Sequence, residues 1–305
     1  MATSTSTLTL NTAVGEHKVY DALKAGDVKI PGVEFQFQDV KPTTAIFRKM
    51  SRTLDYDVCE MALVTYFVGR EFGKPFTALP AFPWQNMQHN AMYYNANKIS
   101  GPQDLNGKTA TSRSYTVTPG VWMRGILKED FGIDSKTMKF IIGDEEHVAE
   151  YHDYYPSNVE RRLGAKLVEI LESGEADAGI AGTPASDKDY IKPMYPDPQA
   201  ACKDFYQRTG IFPLNHMVVI KDSVLQENPW FAEALYEALK KSKEATFKAD
   251  PNAKIGGAGV VDGDPLPYGI TPNRHKIDAL LDMCVEQGVM RRRMTIEELF
   301  PLGLD

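Results

Sequence analysis

Cysteine is scarce in this 305-residue chain, long hydrophobic runs are missing, and so is any extended basic run. Each shortage removes a class of protein. The three cysteines, Cys59, Cys202 and Cys284, are odd in number and scattered, with no Cys-x-x-Cys pair. A disulfide scaffold or a thiolate-held structural zinc is therefore not expected, and reduced thiols fit a cytoplasmic protein. No stretch is long and apolar enough to span a bilayer, and the opening MATSTSTLTLN lacks the charged start and apolar run of a secretory signal. A cytoplasmic location away from membranes is the expectation. With a net charge of −7 and Arg291-Arg292-Arg293 as its one basic cluster, the chain does not read as a nucleic-acid binder. That cluster follows a predicted helix end, where cations suit the helix dipole. A glycine-rich phosphate fingerprint, internal repeats and low-complexity segments are also missing.

What remains is an ordinary globular composition in which strand-like and helix-like stretches alternate. Residues 7–11, 33–37, 56–59, 77–81, 91–94, 107–111, 139–142, 176–181 and 212–220 read as strands. Helices are predicted from residue 17 to 24, from Pro42 onward (Ile46, Phe47 and Met50 on one side), and over 62–72, 161–173, 230–248 and 277–286. Residues 295–298 carry a capping-box pattern, 187–202 reads as a loop, and 254–268 reads as a mobile or lid-like segment. This alternation predicts an α/β protein with largely parallel sheets. Two such runs separated by extended crossings suggest two lobes, residues 1–93 with 216–305 and residues 94–215, with a ligand cleft between them.

The stretch 104–125, DLNGKTATSRSYTVTPGVWMRG, is the most suggestive. A short strand leads into the polar loop Ser112-Arg113-Ser114-Tyr115-Thr116, and Thr118-Pro119 then opens a helix that ends at Phe131-Gly132. A hydroxyl-rich loop holding an arginine before a helix N-terminus can bind an anion, although an ordinary strand–helix connection with a surface arginine fits the same residues.

The segments LDYDVCEMA at 54–62, GVWMRGIL at 120–127, EEHV at 145–148 with Asn158-Val159, TGIFPLNH at 209–216, and PYGI at 267–270 with Asn273-Arg274 resemble those of the 4,5-dihydroxyphthalate decarboxylase family. They occur in order over nearly the whole chain. The resemblance implies a two-lobed fold like that of type II periplasmic binding proteins. It also implies removal of one carboxylate from 4,5-dihydroxyphthalate to give protocatechuate and carbon dioxide. The loop 112–118 and the turn 82–90 depart from the family's usual wording, which leaves a different aromatic or heteroaromatic acid open. A non-catalytic solute-binding protein of the same fold is the other reading.

Decarboxylation of an electron-rich phenolic acid needs a proton donor near the reacting carbon, a partner for the phenol oxygens and a cation for the carboxylate that stays. Arg113 is the first choice for the carboxylate, with Ser112, Ser114 and Thr116 as hydroxyl donors and Tyr115 and Tyr268 flanking the ring. Arg124 fits a structural salt bridge better, and Arg70 a surface or cap role. His89 and His216 are the acid/base candidates; each taken alone reads more readily as structural, and the resemblance turns the reading towards catalysis. Glu60, at a strand-to-helix junction, could bind phenol hydroxyls, shuttle a proton or serve as a helix N-terminal anion. Glu60, His89 and His216 could together hold a divalent metal, although no cofactor is required by the chemistry. His147 and His152 lie in a segment, 143–153, that reads as solvated and structure-bracing. Trp122 and Cys284 read as core, and the exposed loops with the apolar 299–304 end allow a homo-oligomer.

Overall fold

Strands and helices alternate along the chain in the computed structural model, which describes residues 7–250, 260–261 and 263–305. Residues 254–259 and 262 of the expected lid-like segment lie outside the described residues. In order, the first elements are Leu8–Ala13 (β1), Asp21–Ala25 (α1), Val33–Phe37 (β2), Thr44–Thr53 (α2), Val58–Ala62 (β3), Leu63–Glu71 (α3) and Phe76–Gln85 (β4). Then come Tyr93–Asn95 (β5), Thr109–Ser112 (β6), Thr118–Phe131 (α4), Lys139–Ile142 (β7), Val159–Arg161 (β8), Leu167–Glu172 (α5), Ala178–Gly179 (β9), Ile191–Pro193 (β10) and Pro198–Thr209 (α6). The last are Leu214–Lys221 (β11), Asp222–Glu227 (α7), Phe231–Ala249 (α8), Arg274–Glu286 (α9) and Ile296–Leu299 (α10).

Two units result, each discontinuous in sequence. The first comprises Met1–Gln85, Leu214–His275 and Met294–Asp305; the second comprises Asn86–Pro213 and Lys276–Arg293. The sequence reading set its crossings at 93/94 and 215/216 and kept 276–293 with the first lobe. Those residues pack instead on α4: Gln287 accepts from the Arg124 Nε at 2.7 Å and donates to the Val121 carbonyl at 3.0 Å.

The first unit is built on a five-stranded sheet of order β2-β1-β3-β11-β4. β1 runs parallel to β2 and β3, whereas β11 runs antiparallel to β3 and β4. On one side lies α8, whose Phe231, Leu235 and Leu239 recur every four residues and bury against Leu10, Val58, Leu79 and Ile220 of the sheet. Each of those side chains contributes about 1.5–3 kcal/mol by leaving water.

The second unit has a six-stranded sheet of order β10-β5-β9-β6-β7-β8. β6 is parallel to β7 and β9, and β5 is antiparallel to β9 and β10. Both sheets are thus mixed, each with one strand running against all the others: β11 in the first unit and β5 in the second. Each is the first strand after the chain passes into its unit. Trp122 and Cys284 are core residues, as read.

Three local expectations change. α4 is entered from Val117 without a side-chain cap, and Pro119 sits in its first turn, so Thr118 is helical rather than capping. The amphipathic stretch 161–173 is helical only over α5, because Gly164 takes a left-handed φ of +78° that ends any continuous helix. The loop expected at 187–202 holds β10 and the start of α6, where the Asp197 side chain accepts from the Ala200 N–H and Pro198 occupies the first turn.

Candidate active site

Glu60 lies on β3 and His216 on the antiparallel neighbour β11. Ala62 is opposite His216 and Glu60 opposite Val218, so Glu60 and His216 are diagonal neighbours on one face of the sheet. That spacing suits two long polar side chains, and the His216 Nδ1 meets the Glu60 Oε1 at 2.6 Å. The third member comes from the connection after β1. His17 Nε2 lies 2.9 Å from the same oxygen, and the Gly15 N–H donates to Glu60 Oε2 at 2.8 Å. A Cβ on Gly15 would come within 3.0 Å of both Glu60 Oε2 and His17 Nε2, so only glycine fits this connection without displacing the group.

Aromatic rings fix the histidines. His17 stacks on Trp84 with centroids 5.1 Å apart and planes 18° apart, and His216 meets the edge of Phe47 at 4.9 Å. Trp84 pairs with His216 in the register of β4 and β11, so the sheet sets both positions. Glu60 has no exposed side-chain surface, whereas His17 and His216 keep 18% and 17% of theirs, which makes the histidines the approachable side. Burial alone would raise the Glu60 pKa. The hydrogen bonds and charges of His17 and His216 outweigh it and hold the carboxyl well below the usual range. An ionised Glu60 only accepts, so His17 donates from Nε2 and His216 from Nδ1, leaving His17 Nδ1 and His216 Nε2 for other partners.

Beside Gly15, an open cavity of about 620 Å³ lies over the C-terminal ends of β1 and β2, lined among others by Lys24, Phe37 and Lys41. Tyr20 is buried, and burial followed by the Glu60 charge pushes its phenol well up. Tyr268 is partly buried, with Lys243 Nζ 4.5 Å from its ring centre; burial, then Asp264 and Glu60, raise its pKa.

His89 has different surroundings from those expected. It is fully buried in the second unit, with Nδ1 3.4 Å from Cys202 Sγ, Nε2 3.6 Å from Asp130, and its ring edge-on to Tyr195 at 4.7 Å. Those contacts tie the turn before β5 to α4 and α6. Among the described residues, the His/Glu/His group whose ligand atoms all lie within 4.8 Å of one another is His17, Glu60 and His216, with His17 in the place the sequence reading gave to His89.

The loop after β6 is also largely occupied within its own unit. The Tyr115 N–H, the Thr116 N–H and the Thr116 hydroxyl all donate to Glu146, as does Tyr155 at 3.0 Å. The Tyr115 hydroxyl donates to the Gln287 carbonyl at 2.7 Å, and Ser112 Oγ donates to the Ser114 carbonyl at 3.1 Å. Arg113 is partly buried; its N–H donates to the Ala181 carbonyl, and its own carbonyl accepts from Gly143 and Asp144. Glu146 and His147 are buried, so the segment 143–153 braces the unit from inside, and His152 with Asp153 is its solvated part. Arg124 is structural, held among the described residues by neutral partners rather than by a carboxylate. It donates to Gln287 and to the Tyr115 carbonyl and lies 4.2 Å from the Tyr115 ring centre. Arg70 is a partly buried brace, donating to the Phe76 carbonyl at 3.3 Å.

His17 is the site residue missed from sequence. Its signal was available: Gly15-Glu16-His17 follows the first strand, the kind of strand end that drew attention to Glu60.

Taken together, the two α/β units with mixed sheets have the fold of type II periplasmic binding proteins. The periplasmic aliphatic sulphonate binding protein of Escherichia coli matches with a TM-score of 0.55 at 10% identity, covering 95% of this chain and 91% of that one. No family model matches the chain. Among curated proteins, the 4,5-dihydroxyphthalate decarboxylase of Comamonas testosteroni is 31% identical over 98% of both chains. That of Pseudomonas putida is 32% identical over 66% of this chain and 82% of its own. The chain belongs to the 4,5-dihydroxyphthalate decarboxylase family.

Proposed function

We propose that this protein is a carboxy-lyase that converts 4,5-dihydroxyphthalate to protocatechuate and carbon dioxide without oxidation or reduction. The observation that carries the reading is the His17–Glu60–His216 group, in a chain similar over 98% of its length to a decarboxylase of that name. His216 Nε2 delivers a proton to the ring carbon bearing the departing carboxylate. The hydroxyl para to that carbon stabilises the dearomatised intermediate. The bond to the carboxylate then breaks, its electron pair restores the aromatic ring, carbon dioxide leaves, and His216 regains a proton from solvent. Glu60 orients both imidazoles and stabilises whichever is protonated. Arg113 is the proposed partner of the carboxylate that stays, and Tyr268 is proposed to border the ring; the Ser112, Tyr115 and Thr116 hydroxyls are already bound within their own unit. The chemistry needs no metal; where a divalent metal takes part, its ligands are His17, Glu60 and His216. A cytoplasmic address and self-association belong to the same reading.

Purified protein incubated with 4,5-dihydroxyphthalate is expected to release carbon dioxide and protocatechuate in equal amounts, followed by chromatography. His216→Ala is expected to lower kcat by about 10²–10⁴-fold with a smaller change in KM. Tight binding of the acid with no product would favour a solute-binding protein instead.

A further inference from the structure

We propose that His17 Nε2, Glu60 Oε1 and His216 Nδ1 form the protein face of a divalent transition-metal site, and that its open positions take two adjacent phenol oxygens of an aromatic ligand. The donor set is two imidazoles and one carboxylate from three separate stretches of chain, converging within 4.8 Å. Imidazole-rich sets of this kind suit zinc, iron(II) or cobalt rather than magnesium or calcium.

The spacing fits such an ion. The two imidazole nitrogens stand 2.9 and 2.6 Å from Glu60 Oε1 as hydrogen-bond donors, and an ion that replaces their protons, with ligand atoms at about 2.0–2.2 Å, needs them to open only to roughly 3–3.5 Å. Both nitrogens aim at one oxygen, while the other oxygen is held by the Gly15 N–H. Glu60 is thereby oriented to offer one inward oxygen, the outer-shell support that metal-binding carboxylates have. The stack on Trp84 and the edge of Phe47 hold the imidazole planes in place before any ion arrives. Three protein ligands leave coordination positions open, and the histidine side is the approachable one. A catechol-type pair of oxygens chelates an open cation through a five-membered ring. The site would then recognise the 4,5-diol rather than the carboxylates. The diol part of the inference rests on the decarboxylase reading; the metal part does not.

Chelator-treated wild-type protein is dialysed against zinc or cobalt(II), and bound metal is measured by elemental analysis. One equivalent is expected, weakened by more than about 100-fold in His17→Ala and in His216→Ala, and unchanged in His152→Ala, which alters an exposed histidine. No bound metal in the wild type, or undiminished binding in the double variant, overturns the site. Because a variant can fail through misfolding, the cobalt form of the wild type supplies a second measurement. Its visible ligand-field bands are expected to shift on adding protocatechuate and not on adding benzoate. Unshifted bands overturn the diol contact. Metal binding without decarboxylation would overturn the proposed function and leave the metal site standing, so the two failures are distinguishable.

Discussion

Glu60 sits in a dry place with three donors aimed at it, and its ionisation follows from that. Burial raises its pKa, the hydrogen bonds and charges of His17 and His216 lower it, and the lowering wins. The sign of the consequence is fixed. A carboxyl whose folded pKa is depressed adds stability that is complete above its unfolded value, near 4.5, and is lost as pH falls through the folded value. Glu60→Gln cannot show that dependence. The gap in unfolding free energy between wild type and Glu60→Gln is therefore expected to narrow steadily as pH drops below about 4.5, as read by urea unfolding at a series of pH values. A gap constant from neutral down to about pH 3 would mean that Glu60 is not ionised in the fold. At this scale the sequence was half legible. Glu60 and His216 stand out because a strand end and a strand with an inward polar residue are recognisable patterns. His17 is fainter: its one signal, a polar residue just after the first strand, also fits any solvated helix start until the β1–β3 pairing brings it beside Glu60.

Elements with a clear period were the easiest to read. β2 and β7 have the predicted bounds, and α8, with its four-residue spacing, is within a residue of them. The helix α6 was not anticipated, because proline and charge near its start look like loop until Asp197 is seen to cap it. Partner choice between elements was hidden altogether. Arg124 on α4 looks like a residue awaiting a carboxylate, yet its Nε is satisfied by Gln287, just beyond α9, and among the described residues its Nη1 has no hydrogen-bond partner. Burial, the main influence on this guanidinium, lowers its pKa. Removing the Gln287 side chain leaves a second buried guanidinium nitrogen unpaired and also frees the Val121 carbonyl. Gln287→Ala is expected to cost about 2–4 kcal/mol in urea unfolding, whereas Gln287→Glu, which supplies an acceptor and a countercharge, is expected to cost less. An effect below about 0.5 kcal/mol for Gln287→Ala would show that the pair contributes only as surface contacts do.

At the scale of the whole molecule, the chain order and the physical units do not coincide. The second unit takes 128 consecutive residues, 86–213, and then needs 276–293 from near the other end of the sequence. That late segment fills its interior. Leu280, Leu281 and Cys284 are buried, and Met283 lies against Gly125 so closely that a Cβ there would collide with it. Gln287 and Gly288 offer their carbonyls to the Tyr115 and Tyr151 hydroxyls. A fragment limited to 86–213 would expose that apolar face and leave two tyrosine hydroxyls and the Arg124 Nε without partners. The net stability of a domain is only about 5–15 kcal/mol. Losses of a few kcal/mol at each of several buried contacts exceed it. The fragment 86–213 alone is therefore expected to lack a cooperative urea transition by far-ultraviolet circular dichroism, and the same fragment joined through a flexible linker to 276–293 is expected to regain one. Cooperative unfolding of the shorter fragment would mean that the late segment only decorates a unit already complete. Failure of both would mean that the second unit also draws on the first for its stability.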